Sequence, residues 1–232
     1  MLRQIRLIVC DLDYLIFDCS ALKVRALRDS LIPFADGIPH DMRLPDEVDA
    51  EEGFRDHGFR WTRFLELGLD EEALEQLHSA YRVHEERLAG AGIGRLYPGI
   101  PEFLAACRKR GALAAIGAEA GREYLLAVSD RHGLDNLFDL ASCTEEFGMG
   151  SADEMIEEIM RRSEVNPSET LALGTRPDFF QAARNNDVVT IGCGWGLRGT
   201  EALAEADLQA PSLDTALTII EEADTRVAQD FA

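Results

Sequence analysis

Leu7-Ile8-Val9-Cys10-Asp11-Leu12-Asp13-Tyr14-Leu15-Ile16-Phe17-Asp18 is the stretch on which the fold turns. Its apolar run, from Ile5 to Cys10, is short, rich in branched side chains and stopped by an acid. Such a run suits a strand of parallel sheet buried on both faces, where no polar alternation is expected. Comparable runs recur at Ala112–Gly117, Phe138–Ser142, Thr170–Gly174 and Val188–Gly192. Stretches with helical periodicity separate them, near residues 99–110, 120–132, 151–163 and 178–186. The alternation predicts an α/β fold, a doubly wound (Rossmann-like) parallel sheet.

Residues 16–94 interrupt this rhythm with helical sequence and no comparable strand run, so they read as a helical cap domain inserted into a core of residues 1–15 and 95–232. The clearest helix of the insertion starts at Asp70, an N-cap followed by Glu71 and Glu72, and lines up Leu74, Leu77, Tyr81 and Leu88 on one face. Gly90-Ala91-Gly92-Ile93-Gly94 then reads as a hinge back into the core.

Composition narrows the partners. The 232 residues carry 43 acids against 23 bases, a formal charge of -20 that repels phosphate backbones and anionic lipid, so neither nucleic acid nor a membrane is expected as a partner. Lys23 and Lys109 are the only lysines. The five cysteines, Cys10, Cys19, Cys107, Cys143 and Cys193, are scattered through apolar or helical surroundings and read as reduced packing residues. The chain enters a strand at once and has no apolar stretch near the ~18 residues needed to span a bilayer, which makes a cytoplasmic location the expectation.

Ligands of open parallel sheets bind beyond the carboxyl ends of the strands, so the residue after each apolar run is the place to look for chemistry. The first strand ends on Asp11 and Asp13, with Asp18 close behind. Acids so placed can ligate Mg²⁺ through oxygen, and one can attack phosphorus while the other passes a proton. The pattern resembles the first motif of the haloacid dehalogenase superfamily, DxDGT followed after two residues by Asp. With the helical insertion and the return at Tyr97-Pro98-Gly99-Ile100, the whole chain is similar to the phosphoglycolate phosphatase and β-phosphoglucomutase-like members. The resemblance implies Asp11 as nucleophile, Asp13 as general acid/base, and Asp11, Asp13 and Asp178 as metal ligands.

Several family positions are changed. Tyr14-Leu15 stands where the family has Gly-Thr. The second motif's hydroxyl residue is replaced in Ile116-Gly117-Ala118-Glu119, where Gly117 and Ala118 can offer an anion only backbone and Glu119 adds a repelling charge. Met149 takes the place of the third motif's lysine, and neither Lys23, in the insertion, nor Lys109, ahead of the second strand, sits at a carboxyl strand end to substitute for it. In the fourth motif, Gly174-Thr175-Arg176-Pro177-Asp178-Phe179, the two usual acids have become Thr175 and Phe179, and Asp178 is expected to cap the following helix rather than hold metal. Arg176 can either bind an anion bidentately or pair with the acids, and the pair is expected because no other phosphate donor is left to cooperate with it.

Losing one preorganised donor commonly costs about 10²–10³ in rate, and this chain lacks several. The expectation is a phosphatase-family pseudoenzyme, with Mg²⁺ bound weakly or not at all, working through a small phosphorylated ligand or a protein partner. The alternative is a divergent Mg²⁺-dependent phosphatase acting through an aspartyl phosphate at Asp11, with Arg176 or the insertion's Arg55, Arg60 and Arg63 neutralising phosphate. A metal-independent dehalogenase ranks last, because it too needs a lysine and a hydroxyl near the nucleophile.

Overall fold

The computed structural model describes residues 4–34, 69–147, 152–196 and 203–230, with side chains of the last helix described to residue 223. Six parallel strands form the central sheet: β1 (Leu7–Asp11), β4 (Leu113–Ala118), β5 (Leu140–Cys143), β6 (Thr170–Gly174), β7 (Val189–Cys193) and β8 (Leu208–Ala210), in the order β5-β4-β1-β6-β7-β8. The first five lie where the apolar runs predict them. β8 was not foreseen, because its three residues are too few to show a pattern.

Pleating explains why β1 is apolar throughout. Leu7 and Val9 face one cluster, with Met155, Ile156, Ile159, Phe179 and Phe180, while Ile8 and Cys10 face a larger one on the other side. The first cluster is supplied by helices α5 (Ala152–Ser163) and α6 (Pro177–Asn185); the second by α3 (Ile100–Lys109), α4 (Arg122–His132) and α7 (Leu213–Asp230). All five cysteines are buried and none forms a disulfide.

The insertion contributes α1 (Ser20–Leu31) and α2 (Glu71–Gly90). The Asp70 carboxylate accepts a hydrogen bond from the Ala73 N–H at 2.8 Å, the expected cap of α2. Leu77, Tyr81 and Leu88 are buried along its inner face, and Leu74 is half-buried. A small antiparallel pair, β2 (Phe17–Asp18) with β3 (Arg95–Leu96), joins the insertion's two ends. Gly94, in the predicted hinge, has φ +95°, and a Cβ there would lie 2.2 Å from the Phe17 ring, so glycine lets the returning chain pass over that ring. Among the described residues, no helix is long and apolar enough to cross a membrane.

Candidate active site

β1 delivers Asp11 to its carboxyl end, fully buried and in register with Gly117 of β4. The chain then turns tightly, with Tyr14 N–H donating to the Phe17 carbonyl at 2.9 Å and Phe17 N–H to the Leu12 carbonyl at 2.9 Å. Tyr14 takes the left-handed conformation, φ 63°, which costs a side-chain-bearing residue about 1 kcal/mol or more. Its ring is buried. The loop is closed from outside by Gly196, where a Cβ would fall 1.5 Å from the Tyr14 carbonyl oxygen.

Arg176 reaches Asp11 as a fork. Its Nε lies 3.1 Å from Asp11 Oδ2 and its Nη2 3.4 Å from Oδ1, while the same guanidinium meets Glu119 Oε1 at 3.1 Å and Asp178 Oδ2 at 3.4 Å. Burial pulls the guanidinium pKa down, but Asp11, Glu119 and Asp178 more than reverse this and hold the charge on Arg176. Burial pushes the Asp11 carboxyl up to about 7 against the pull of Arg176, and the neighbouring charge of Glu119 adds to the rise. Burial likewise raises Glu119, opposed by Arg176.

Asp13 is held by different partners. Tyr124 of α4 donates its hydroxyl to Asp13 Oδ1 at 2.8 Å, and the Lys23 ammonium stands 2.8 Å from Oδ2. Lys23 also meets Glu85 of α2 at 2.8 Å, Glu85 accepts from the Tyr81 hydroxyl at 3.1 Å, and the ammonium lies 5.6 Å from the centre of the Tyr124 ring. Burial lowers the Lys23 pKa, and Asp13 and Glu85 outweigh it, so the lysine stays charged. As expected, Lys23 does not itself sit at a carboxyl strand end, yet the expectation that no lysine is at hand locally is corrected, since its ammonium pairs with Asp13. α1 carries Lys23 across to the strand ends, a placement invisible in sequence because the partners come from α2 and α4, far along the chain. The hint was the rarity of lysine itself.

Other predicted positions fare variously. Gly117 leaves room for a neighbour, since a Cβ there would sit 2.8 Å from Met155 Cε; Ala118 is buried at the end of β4. Lys109 is exposed at the end of α3, away from the acids. Asp178 does not cap α6: Arg176 occupies the N-cap position without a capping bond, and Asp178 Oδ1 accepts from the adjacent Phe179 N–H at 3.0 Å. The reason is Pro177, which starts the helix two residues before Phe179, where a cap at Asp178 would have begun it, and puts Asp178 in its first turn. Met149, Arg55, Arg60 and Arg63 lie outside the described residues.

All four carboxylate oxygens of Asp11 and Asp13 thus have a protein donor or cation. A magnesium ion needs several oxygens in near-octahedral array, and the carboxylates nearest to hand, Asp11 and Asp178, converge instead on a guanidinium. Thr175, fully buried, offers a hydroxyl where the family pattern has an acid. Among the described residues, five carboxylates (Asp11, Asp13, Glu85, Glu119 and Asp178) face two cations (Arg176 and Lys23), and when ionised this set is negative and disfavours a phosphate dianion. These residues do not fit the metal-and-phosphate arrangement.

The sequence model of the haloacid dehalogenase-like hydrolases matches residues 8–193. No match to a curated protein was found. Among solved structures, the chain is similar to a predicted phosphatase from Clostridium acetobutylicum, at 19% identity and TM-score 0.79 over 96% of this chain and 100% of that one. It is also similar to a predicted phosphoglycolate phosphatase from Haemophilus somnus 129PT, at 17% identity and TM-score 0.73 over 94% and 99% of the two chains. A third, CbbY from Rhodobacter sphaeroides in complex with phosphate, shares 19% identity at TM-score 0.69 over 90% and 95%. At such identities the structural likeness is one of fold.

Proposed function

We propose that this chain, which belongs to the haloacid dehalogenase-like hydrolase family, is a phosphatase-fold protein whose acid pair serves structure rather than phosphoryl transfer, and that it acts by binding. The reading rests on one observation: each oxygen of Asp11 and Asp13 is already engaged, by Arg176, Tyr124 or Lys23. A nucleophile bridged by a guanidinium on both oxygens must break that ion pair before it attacks phosphorus, and an acid whose two oxygens are held by an ammonium and a phenol must give up one of those contacts to pass a proton. Residues 16–94 would act as a cap fixed to the core of residues 1–15 and 95–232 through Lys23, with Mg²⁺ weakly held or not bound.

The test is hydrolysis of a panel of small phosphomonoesters by purified protein, with and without Mg²⁺, beside Asp11→Asn. The expected result is no turnover that depends on both the metal and Asp11. Magnesium-requiring hydrolysis abolished by Asp11→Asn would overturn the reading in favour of a divergent phosphatase that uses the same aspartate.

A further inference from the structure

Beside the acid loop, past the carboxyl ends of β7 and β8, lies an open cavity of about 430 Å³ lined by Tyr97, Pro98, Trp195, Pro211, Ser212, Leu213 and Asp214. We infer that this cavity is a binding site for a small methylated ammonium ion. The inference goes beyond the proposed function and does not depend on whether Asp11 is catalytic.

Four features of the wall carry it. Two aromatic side chains line the cavity, and the negative face of such rings attracts cations, indole most strongly. Trp195 is half-buried, and its indole N–H donates to the Leu15 carbonyl at 3.0 Å, which fixes the ring before any ligand arrives. Tyr97 is tied to the same loop, its backbone N–H donating to the Ile16 carbonyl at 3.0 Å. Pro98, Pro211 and Leu213 supply apolar surface, which suits methyl groups better than the tightly hydrated head of a primary amine.

Charge decides the sign of the ligand. Among the described residues, Asp214 is exposed without an ion-pair partner and no basic side chain lines the cavity. Ser212 is already used, accepting from the Thr215 N–H at 3.2 Å as the cap of α7. The first turn of α7 contributes a positive end worth roughly half a charge, which would favour an anion by itself. The full charge of Asp214 in that same turn outweighs it, and a ring of Tyr97 or Trp195 that meets the ligand with its face acts in the same direction. A cavity of this size accommodates a small molecule.

The test uses the full chain with Trp61→Phe, leaving Trp195 as the sole tryptophan reporter. Choline is titrated against its neutral isostere 3,3-dimethylbutan-1-ol, with sodium chloride holding ionic strength constant, and binding is followed by fluorescence and by the NMR shift of the ligand methyl protons. Choline is expected to give saturable quenching and an upfield methyl shift, and to bind about five- to tenfold more tightly than the isostere, as exposed cation–π and carboxylate contacts together allow. Asp214→Asn should weaken choline about threefold and leave the isostere unchanged. Equal binding of the two probes, or no saturation by choline, would overturn the inference, and this comparison stands even if the Asp214 variant fails to fold.

Discussion

Arg176 is the residue whose loss should be felt most, because its guanidinium is, among the described residues, the only cation paired with the buried Asp11. Breaking a buried pair by removing one partner strands the other charge, at a typical cost of 3–5 kcal/mol. Arg176→Met is expected to lose about 3 kcal/mol in urea denaturation, the low end of that range because the side chain retains 22% exposure. Combining it with Asp11→Asn should restore part of the loss; strict additivity of the two would mean that the pair is not coupled. Asp11 also sets a pH dependence. Its folded value of about 7 lies above its ordinary 3.8, so across that window the folded chain keeps a proton the unfolded chain has released. Stability from this group is complete below the lower value and is lost as pH rises through the upper. The difference in stability between wild type and Asp11→Asn should therefore change with pH across that interval and level off above it. Gly196 gives a simpler prediction. A methyl group there collides with the Tyr14 carbonyl, a backbone atom that cannot swing aside, so Gly196→Ala should cost about 2 kcal/mol or more in thermal or urea melts.

At the scale of elements, α1 is more than a covering helix, because it carries the ammonium that balances Asp13 and Glu85. Lys23→Met keeps the aliphatic stem but leaves two buried carboxylates without their cation, and should cost about 3 kcal/mol. The loosening should be local: amide exchange should rise in α1 and α2 and stay unchanged in α5 and α6, which pack on the opposite face of the sheet. Adding Glu85→Gln should recover part of the loss, whereas an unaltered exchange pattern in Lys23→Met would remove Lys23 from this role. The same helix shows where sequence reasoning stopped. Five strands, the cap of α2 and the position of Asp11 and Asp13 were legible, since each follows from local patterning. Arg176 was legible too, because it follows directly on β6, next to β1. Lys23 was not: Asp13 lies ten residues away, but Glu85 and Tyr124, which complete its surroundings, are 62 residues and more away, and it takes the packing of α1 against α2 and of α2 against α4 to bring them together. β2, β3 and β8 escaped for the opposite reason, being two or three residues long and stabilised by neighbours rather than by their own pattern.

Over the whole molecule, two electrostatic regimes coexist and can be separated by salt. The formal charge of -20 is spread over a surface rich in Asp and Glu, where like charges repel and destabilise the compact state. The ion pairs at the centre of the two clusters are largely buried, with side-chain exposures of 22% and 1% for Arg176 and Asp11 and of 15% and 12% for Lys23 and Asp13. Screening lengths fall from about 30 Å at 0.01 M salt to about 3 Å at 1 M, which weakens the surface repulsion but reaches buried pairs little. Wild-type protein should accordingly melt at a higher temperature as sodium chloride is raised from about 0.01 M to about 0.5 M. Over the same range, the destabilisation caused by Arg176→Met should change little, because Asp11 is fully buried and most of the Arg176 side chain is shielded from the added ions. A penalty that shrinks by half or more in high salt would place the Arg176–Asp11 pair in solvent, and would remove the main physical reason for reading the acid pair as occupied.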